Sequence, residues 1–217
     1  MKKLIILILT ILTIMQISCQ KKFNVNSDEI IVEIFSTQEI IALNSIIEYV
    51  DNMVLSESNE KSINQAYHNY FEKLTEYIKE GSVFPAPFDE TKKYEFLENL
   101  DKNTFNEIFR MDNHLKRVKY KDTILTNLNN IKMLEINSSG RYMEYLKKVG
   151  QSDEKFKQIH ESIEIAGDIS PSIATWFPMN HNEYDFEVVK NRLWAAVYLL
   201  RMEGLIEDKI ENYLNGQ

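Results

Sequence analysis

The sequence predicts an all-α domain, a single irregular helical bundle over residues 28–217, with room for a short β-hairpin or extended segment around 116–136. Three observations predict it. Glycine and proline are scarce, six and four in 217 residues, which disfavours a sandwich built on many tight turns. Helix-capping residues recur just ahead of apolar runs at helical spacing. One segment near the C-terminus is apolar around most of its circumference, as a central buried helix is.

The elements follow in order. SDEIIVEIF, residues 27–35, fits either a short strand or a first helical turn capped by Ser27. FSTQEI is a clearer start. Ser36 can cap, Glu39 stands three residues on, and Phe35 can staple onto Ile40. Ile40, Leu43, Ile47, Val50 and Val54 then predict a helix over 37–55. Ser62 and Gln65 form a second capping-box pattern. Ala66, Tyr67, Tyr70, Phe71 and Leu74 give the next helix an apolar face, and Gly81 ends it. These two helices should pair antiparallel. VFPAPFDE is a loop, and shorter helices are expected over 89–99 and 103–112.

Residues 113–138 alternate loosely, with Val118 and Tyr120 among lysines. A helix over 139–149 stops at Gly150. Ser152 should cap its successor, which ends at Gly167, and Ser170-Pro171 reads as an N-cap followed by a first-turn proline. Asn182 and Asp185 resemble a further cap, and the central helix is expected over Tyr184–Met202. An amphipathic helix follows Gly204. No repeat of solenoid period is visible.

The opening stretch, MKKLIILILTILTIMQISCQKK, carries the most specific signal. Lys2 and Lys3 precede an apolar run from Leu4 to Ile17. A helix of that length covers roughly 21 Å, short of a hydrocarbon core of about 30 Å. It has the make-up of a signal-peptide core. Ser18 then precedes Cys19, the only cysteine of the chain. This arrangement resembles the lipobox of bacterial lipoproteins, although Gln16 stands where that motif usually has an aliphatic residue. The resemblance covers about the first 20 residues. It implies that residues 1–18 are removed and that Cys19 becomes a lipid-modified N-terminus. Two or more acyl chains, at about 0.8 kcal/mol per buried methylene, hold a protein at a bilayer almost permanently. Residues 19–27 would then be the lipidated cysteine and a polar tether. The location implied is the bacterial cell envelope; Gln20 and the basic Lys21 and Lys22 after the cysteine favour the outer membrane facing the periplasm, with exposure at the cell surface the alternative.

Removing residues 1–18 shifts the net charge from −8 to about −10. That disfavours nucleic acid as a main partner, because phosphate binding needs basic patches. With one cysteine no intrachain disulfide and no thiolate zinc finger can form. No glycine pair has dinucleotide or P-loop spacing, and no His is preceded at three residues by Glu as in di-iron bundles. No cofactor or metal is expected, and no catalytic residue can be nominated.

Three weaker features remain. His160 and Glu164 in HESIE share a helix face, which suits an i,i+4 interaction better than a metal. Asp122-Thr123-Ile124 is similar to a short bacterial O-glycosylation motif. The richest is SIATWFPMNHNEYDF, residues 172–186, where Trp176, Asn180, His181, Tyr184 and Asp185 combine aromatic faces with amides and a carboxylate. Such a set suits a sugar or a polar peptide. The leading functional expectation is a non-catalytic, membrane-tethered module that binds a protein or polysaccharide. A small envelope hydrolase with carboxylate chemistry, and an inhibitor or immunity lipoprotein, are the alternatives.

Overall fold

A computed structural model describes residues 23–82 and 85–216. The signal segment, Cys19 and residues 20–22 lie outside the described residues. Ten helices and one two-stranded sheet are present among those described: α1 Glu29–Ile34, α2 Thr37–Ser56, α3 Ile63–Glu80, α4 Glu90–Glu98, α5 Lys102–Ile108, β1 Phe109–Tyr120, β2 Thr123–Ile136, α6 Arg141–Gly150, α7 Glu154–Ala166, α8 Pro171–Met179, α9 Val189–Arg201 and α10 Ile206–Asn215. The fold is mainly helical, and the all-α expectation is corrected by the size of its hairpin.

α9 is the centre. Leu193 to Leu200 are all fully buried. Burial of each large aliphatic there is worth roughly 1.5–3 kcal/mol. α9 packs on α2 and on the base of β2, α3 packs on α2 and α8, and α6 pairs with α7. α9 starts later than its apolar pattern suggests. Tyr184 to Val188 run outside the helix because tertiary bonds hold them: Asn64 Oδ1 accepts the Phe186 N–H at 2.7 Å, and the Asn191 amide donates to the Asp185 carbonyl at 2.8 Å. The expected Asn182 cap is therefore replaced. Asn182 sits in a 3-10 turn, His181–Glu183, and Val188 precedes α9 without a side-chain cap.

Local signals elsewhere meet mixed fates. The Ser36–Glu39 capping box is complete. The second box is half formed, since Ser62 accepts the Gln65 N–H while the Gln65 amide turns to Asn69. Asp28 caps α1 in place of Ser27, and Asp153 caps α7 in place of Ser152, each carboxylate offering a charged acceptor. Gly81 (φ +65°) and Gly167 (φ +79°) end α3 and α7 in the left-handed region. Gly140 is needed for a different reason: a Cβ there would stand 2.3 Å from the Glu107 carbonyl oxygen.

Two boundaries are corrected. Residues 24–27 do not form tether. Asn24 caps a 3-10 turn over Val25–Ser27, Val25 is fully buried, and its N–H donates to Asn44 Oδ1 at 3.3 Å. Second, the helix expected over 103–112 ends at Ile108, where Phe109 turns extended (φ −123°, ψ 158°) and opens the hairpin. The hairpin spans 109–136 rather than 116–136. Its strands pair antiparallel from Phe109↔Ile136 to Tyr120↔Thr123, with an irregularity between Asp112 and His114. Lys121 takes a positive φ of 52° in the turn. Arg110 and Glu135 face each other across the strands, with Nε donating at 2.9 Å.

Candidate functional site

The five residues nominated from segment 172–186 do not form one open site. Asn180 closes the end of α8, its amide donating to the Trp176 carbonyl at 2.8 Å. Tyr184 is buried, edge-on to Phe177 at 4.9 Å, with the Lys155 ammonium 4.7 Å from its ring. Trp176 is partly buried against the core and edge-on to Tyr184. Asp185 is exposed, and its carboxylate accepts the Glu187 N–H. These groups have the geometry of a plug and of local caps.

His181 goes elsewhere. It is buried against α3, with its Nδ1 3.0 Å from His68 Nδ1 and its Nε2 3.0 Å from Glu72 Oε2. Glu72 favours the proton on Nε2, so the two facing Nδ1 atoms share a single proton. Burial lowers the His68 pKa, the neighbouring His181 lowers it further, and Asp185 opposes both. In this depressed state His68 stays neutral while the unfolded chain takes up a proton. Stability is then lost as pH falls through the ordinary histidine range near 6.5. Urea midpoints are expected to drop between about pH 7.5 and 5.5, and a His68→Gln variant should show a flatter dependence over that window. An unchanged slope in the variant would mean His68 is not the titrating group.

The stronger site was missed by sequence reasoning. It lies between α4, β2 and α10, a cleft of about 550 Å³ lined by Glu90, Tyr94, Glu98, Lys132, Lys209 and Tyr213 among others. Below it lies a charged network. The Lys209 ammonium donates to Glu203 at 2.9 Å, to the Lys132 carbonyl at 2.9 Å and to the Tyr94 hydroxyl at 3.2 Å, and it pairs with Glu90 at 3.3 Å. The Tyr94 hydroxyl donates to Glu203. Lys93, only 1% exposed, pairs with Glu203 at 3.5 Å and approaches the Met202 carbonyl at 3.4 Å. The second oxygen of Glu203 accepts the Leu134 N–H at 3.3 Å, which ties in the hairpin.

The electrostatics follow from this packing. Burial works to raise the Glu203 pKa, but the Lys93 and Lys209 ammoniums and their hydrogen bonds overcome it and hold the carboxyl below its usual range. Burial pushes Lys93 down, against the pull of Glu203 and Glu90. Burial, then the Glu203 hydrogen bond and charge, push the Tyr94 phenol far up. The floor is thus a fixed set of matched charges. Above it Thr91, Glu95 and Asn212 are exposed, and Tyr213 is half-buried. That combination can hydrogen-bond and stack a polar ligand without rearranging its base. No sequence spacing reveals it, because Lys93, Lys132 and the Glu203–Lys209 pair come from three separated stretches.

His160 is buried on α7, while Glu161 and Glu164 are exposed beside it along a shallow groove. Among the described residues no group of three or more His, Cys, Asp or Glu is placed to hold a metal ion. No helix among them is long and apolar enough to cross a membrane.

Fold and cleft together define a mainly α-helical domain that carries one long antiparallel hairpin, with a polar cleft at the hairpin's base. No protein-family model, no curated protein and no solved structure matches the chain.

Proposed function

We propose that the chain is a membrane-tethered module of the bacterial cell envelope, lipidated at Cys19, that acts by binding a polar ligand of saccharide or peptide type rather than by catalysis. The cleft between α4, β2 and α10 carries this reading. Its charged floor is neutralised internally, which leaves Thr91, Glu95, Asn212 and Tyr213 to meet a ligand. The lipobox-type start supplies the tether. Phe23, four residues after Cys19, already lies 4.0 Å from the Arg192 guanidinium. The four residue steps from Cys19 to Phe23 span at most roughly 14 Å, so the body would sit close to the membrane surface. The outer membrane, on its periplasmic face, is the location that the residues after Cys19 favour.

Three measurements test this together. Cys19→Ala is expected to move the protein from the membrane to the soluble fraction, and mass spectrometry of native material should show a start at Cys19 with acyl chains. Photo-crosslinking residues placed at 95 and 212 in intact cells should give discrete adducts, whereas position 61 should not. A mutant that stays on the membrane overturns the anchor, and equal labelling at all three positions overturns the cleft.

A further inference from the structure

The outer end of the hairpin carries a charge opposite to that of the rest of the chain. Residues 113–134 hold five Lys and Arg and one acid, a local net charge of +4 in a chain of −8. Lys116, Arg117, Lys119 and Lys121 fall within six residues, and all four are exposed. Lys132 is paired with Glu98, at the hairpin's base. Among the described residues Lys116, Arg117 and Lys119 have no carboxylate within ion-pair distance.

The register sorts this end into two faces. Val118 and Leu125 are paired, and both are partly buried with Tyr120 against Ile206, Ile210 and Tyr213 of α10. The alternate pairs are Arg117↔Thr126 and Lys119↔Ile124, and all four residues are exposed. Two cations about 7 Å apart therefore line the uncovered face, while Lys121 at the turn holds its ammonium 4.8 Å from the Tyr120 ring, on the α10 side. Lysines on edge strands guard against edge-to-edge pairing. That role does not require one sign of charge crowded into six residues, where like charges repel.

We propose that this face is a docking site for an anionic polysaccharide bearing carboxylates at intervals along its chain. Three arguments select this occupant. A polysaccharide with one carboxylate on each ring spaces its charges several ångströms apart, like the two cations. Duplex nucleic acid carries one charge per about 1.7 Å and calls for a far denser patch. An anionic bilayer suits the hairpin poorly, because Asp122 stands at the apex and Ile124 is the one large apolar side chain exposed there among the described residues. The hairpin base is also fixed beside Glu203, just past the end of α9, whereas Phe23 contacts Arg192 near its start. This surface is separate from the cleft, so the proposal stands whether or not the cleft binds a ligand or Cys19 is lipidated.

The test uses the chain purified as its host makes it, with polygalacturonate as the probe. Binding is expected at about 50 mM salt, weakening steeply towards 300 mM. Arg117→Glu with Lys119→Glu should weaken it by about tenfold or more, and Lys61→Glu should leave it unchanged. Circular dichroism and the urea midpoint of the double variant should match the parent, which separates lost docking from lost folding. The milder pair Arg117→Gln with Lys119→Gln should weaken binding less. No binding to polygalacturonate, binding unaltered in the double variant, tighter binding to duplex DNA, or tighter binding to phosphatidylglycerol vesicles that is lost in the double variant would each overturn the proposal.

Discussion

Arg192→Leu is expected to cost about 3–5 kcal/mol of unfolding free energy, because it strands a buried carboxylate. Asp51 on α2 accepts from Arg192 Nε at 3.0 Å, from Arg192 Nη2 at 2.5 Å and from the Tyr67 hydroxyl at 2.9 Å. Three helices meet at that one carboxylate, and both charged residues are buried. Removing the guanidinium leaves the carboxylate with the Tyr67 hydroxyl as its remaining donor among these. It also removes the cation beneath Phe23. Urea denaturation checks the cost. The double variant Asp51→Leu with Arg192→Leu should recover part of it, since two apolar side chains of suitable volume replace a pair that gains little over its desolvation, while the buried Tyr67 hydroxyl loses its acceptor. A single-variant loss below about 1 kcal/mol, or a double variant no better than the single, would show that the pair does not hold these helices together.

Glu203→Gln should be the second most damaging change, at about 3 kcal/mol. It removes the carboxylate that Lys93 and Lys209 share, and leaves Lys93 with an almost fully buried ammonium. The pH dependence identifies the cause. In the parent, the depressed Glu203 contributes stability that is present above its unfolded pKa, near 4.5, and is lost as pH falls through its lower folded value. The variant should lack that acid loss. Its Lys93, with less to oppose burial, should titrate lower still than in the parent. The unfolded chain then holds more protons at alkaline pH, so the variant's stability should climb as pH rises towards the ordinary lysine value of 10.5. A variant with the parent's acid limb and no alkaline rise would place the buried charges elsewhere. Because Glu203 also accepts the Leu134 N–H, amide exchange at the hairpin's base should quicken in the same variant.

The matched charges of the cleft and the bare cations of the hairpin differ in what a ligand would meet. In the cleft, Lys209 is already engaged by two carboxylates, so a ligand there would be held by hydroxyl, amide and aromatic contacts. On the hairpin, Arg117 and Lys119 face water, and an anion there would be held by charge with strong salt dependence. The two sites thus predict different responses to ionic strength, slight in the cleft and steep at the hairpin.

Much of the fold was legible because its signals are local. The Ser36 box, the Ser170-Pro171 start and the Gly81 and Gly167 ends are decided by bonds within a few residues of chain. The apolar face of α3 and the all-round apolar α9 report burial directly. Local reading failed where a distant group competes. Tyr184 to Val188 looked helical until Asn64 claimed the Phe186 N–H, and Ser152 lost its cap to the more acidic Asp153 beside it.

The candidate site was less legible for the same reason. His181 was singled out as one of a ligand-binding set, yet its partners are His68 and Glu72, more than a hundred residues away. By itself the sequence determined most of the segments that wind into helices and which one lies at the centre. Only the tertiary structure decided how far the hairpin runs, where the polar residues of segment 172–186 are spent, and that three separated stretches converge under one cleft. Helix formation depends on caps and periodicity that neighbours in sequence supply. Charge pairing and strand length depend on groups that meet only after the chain has folded.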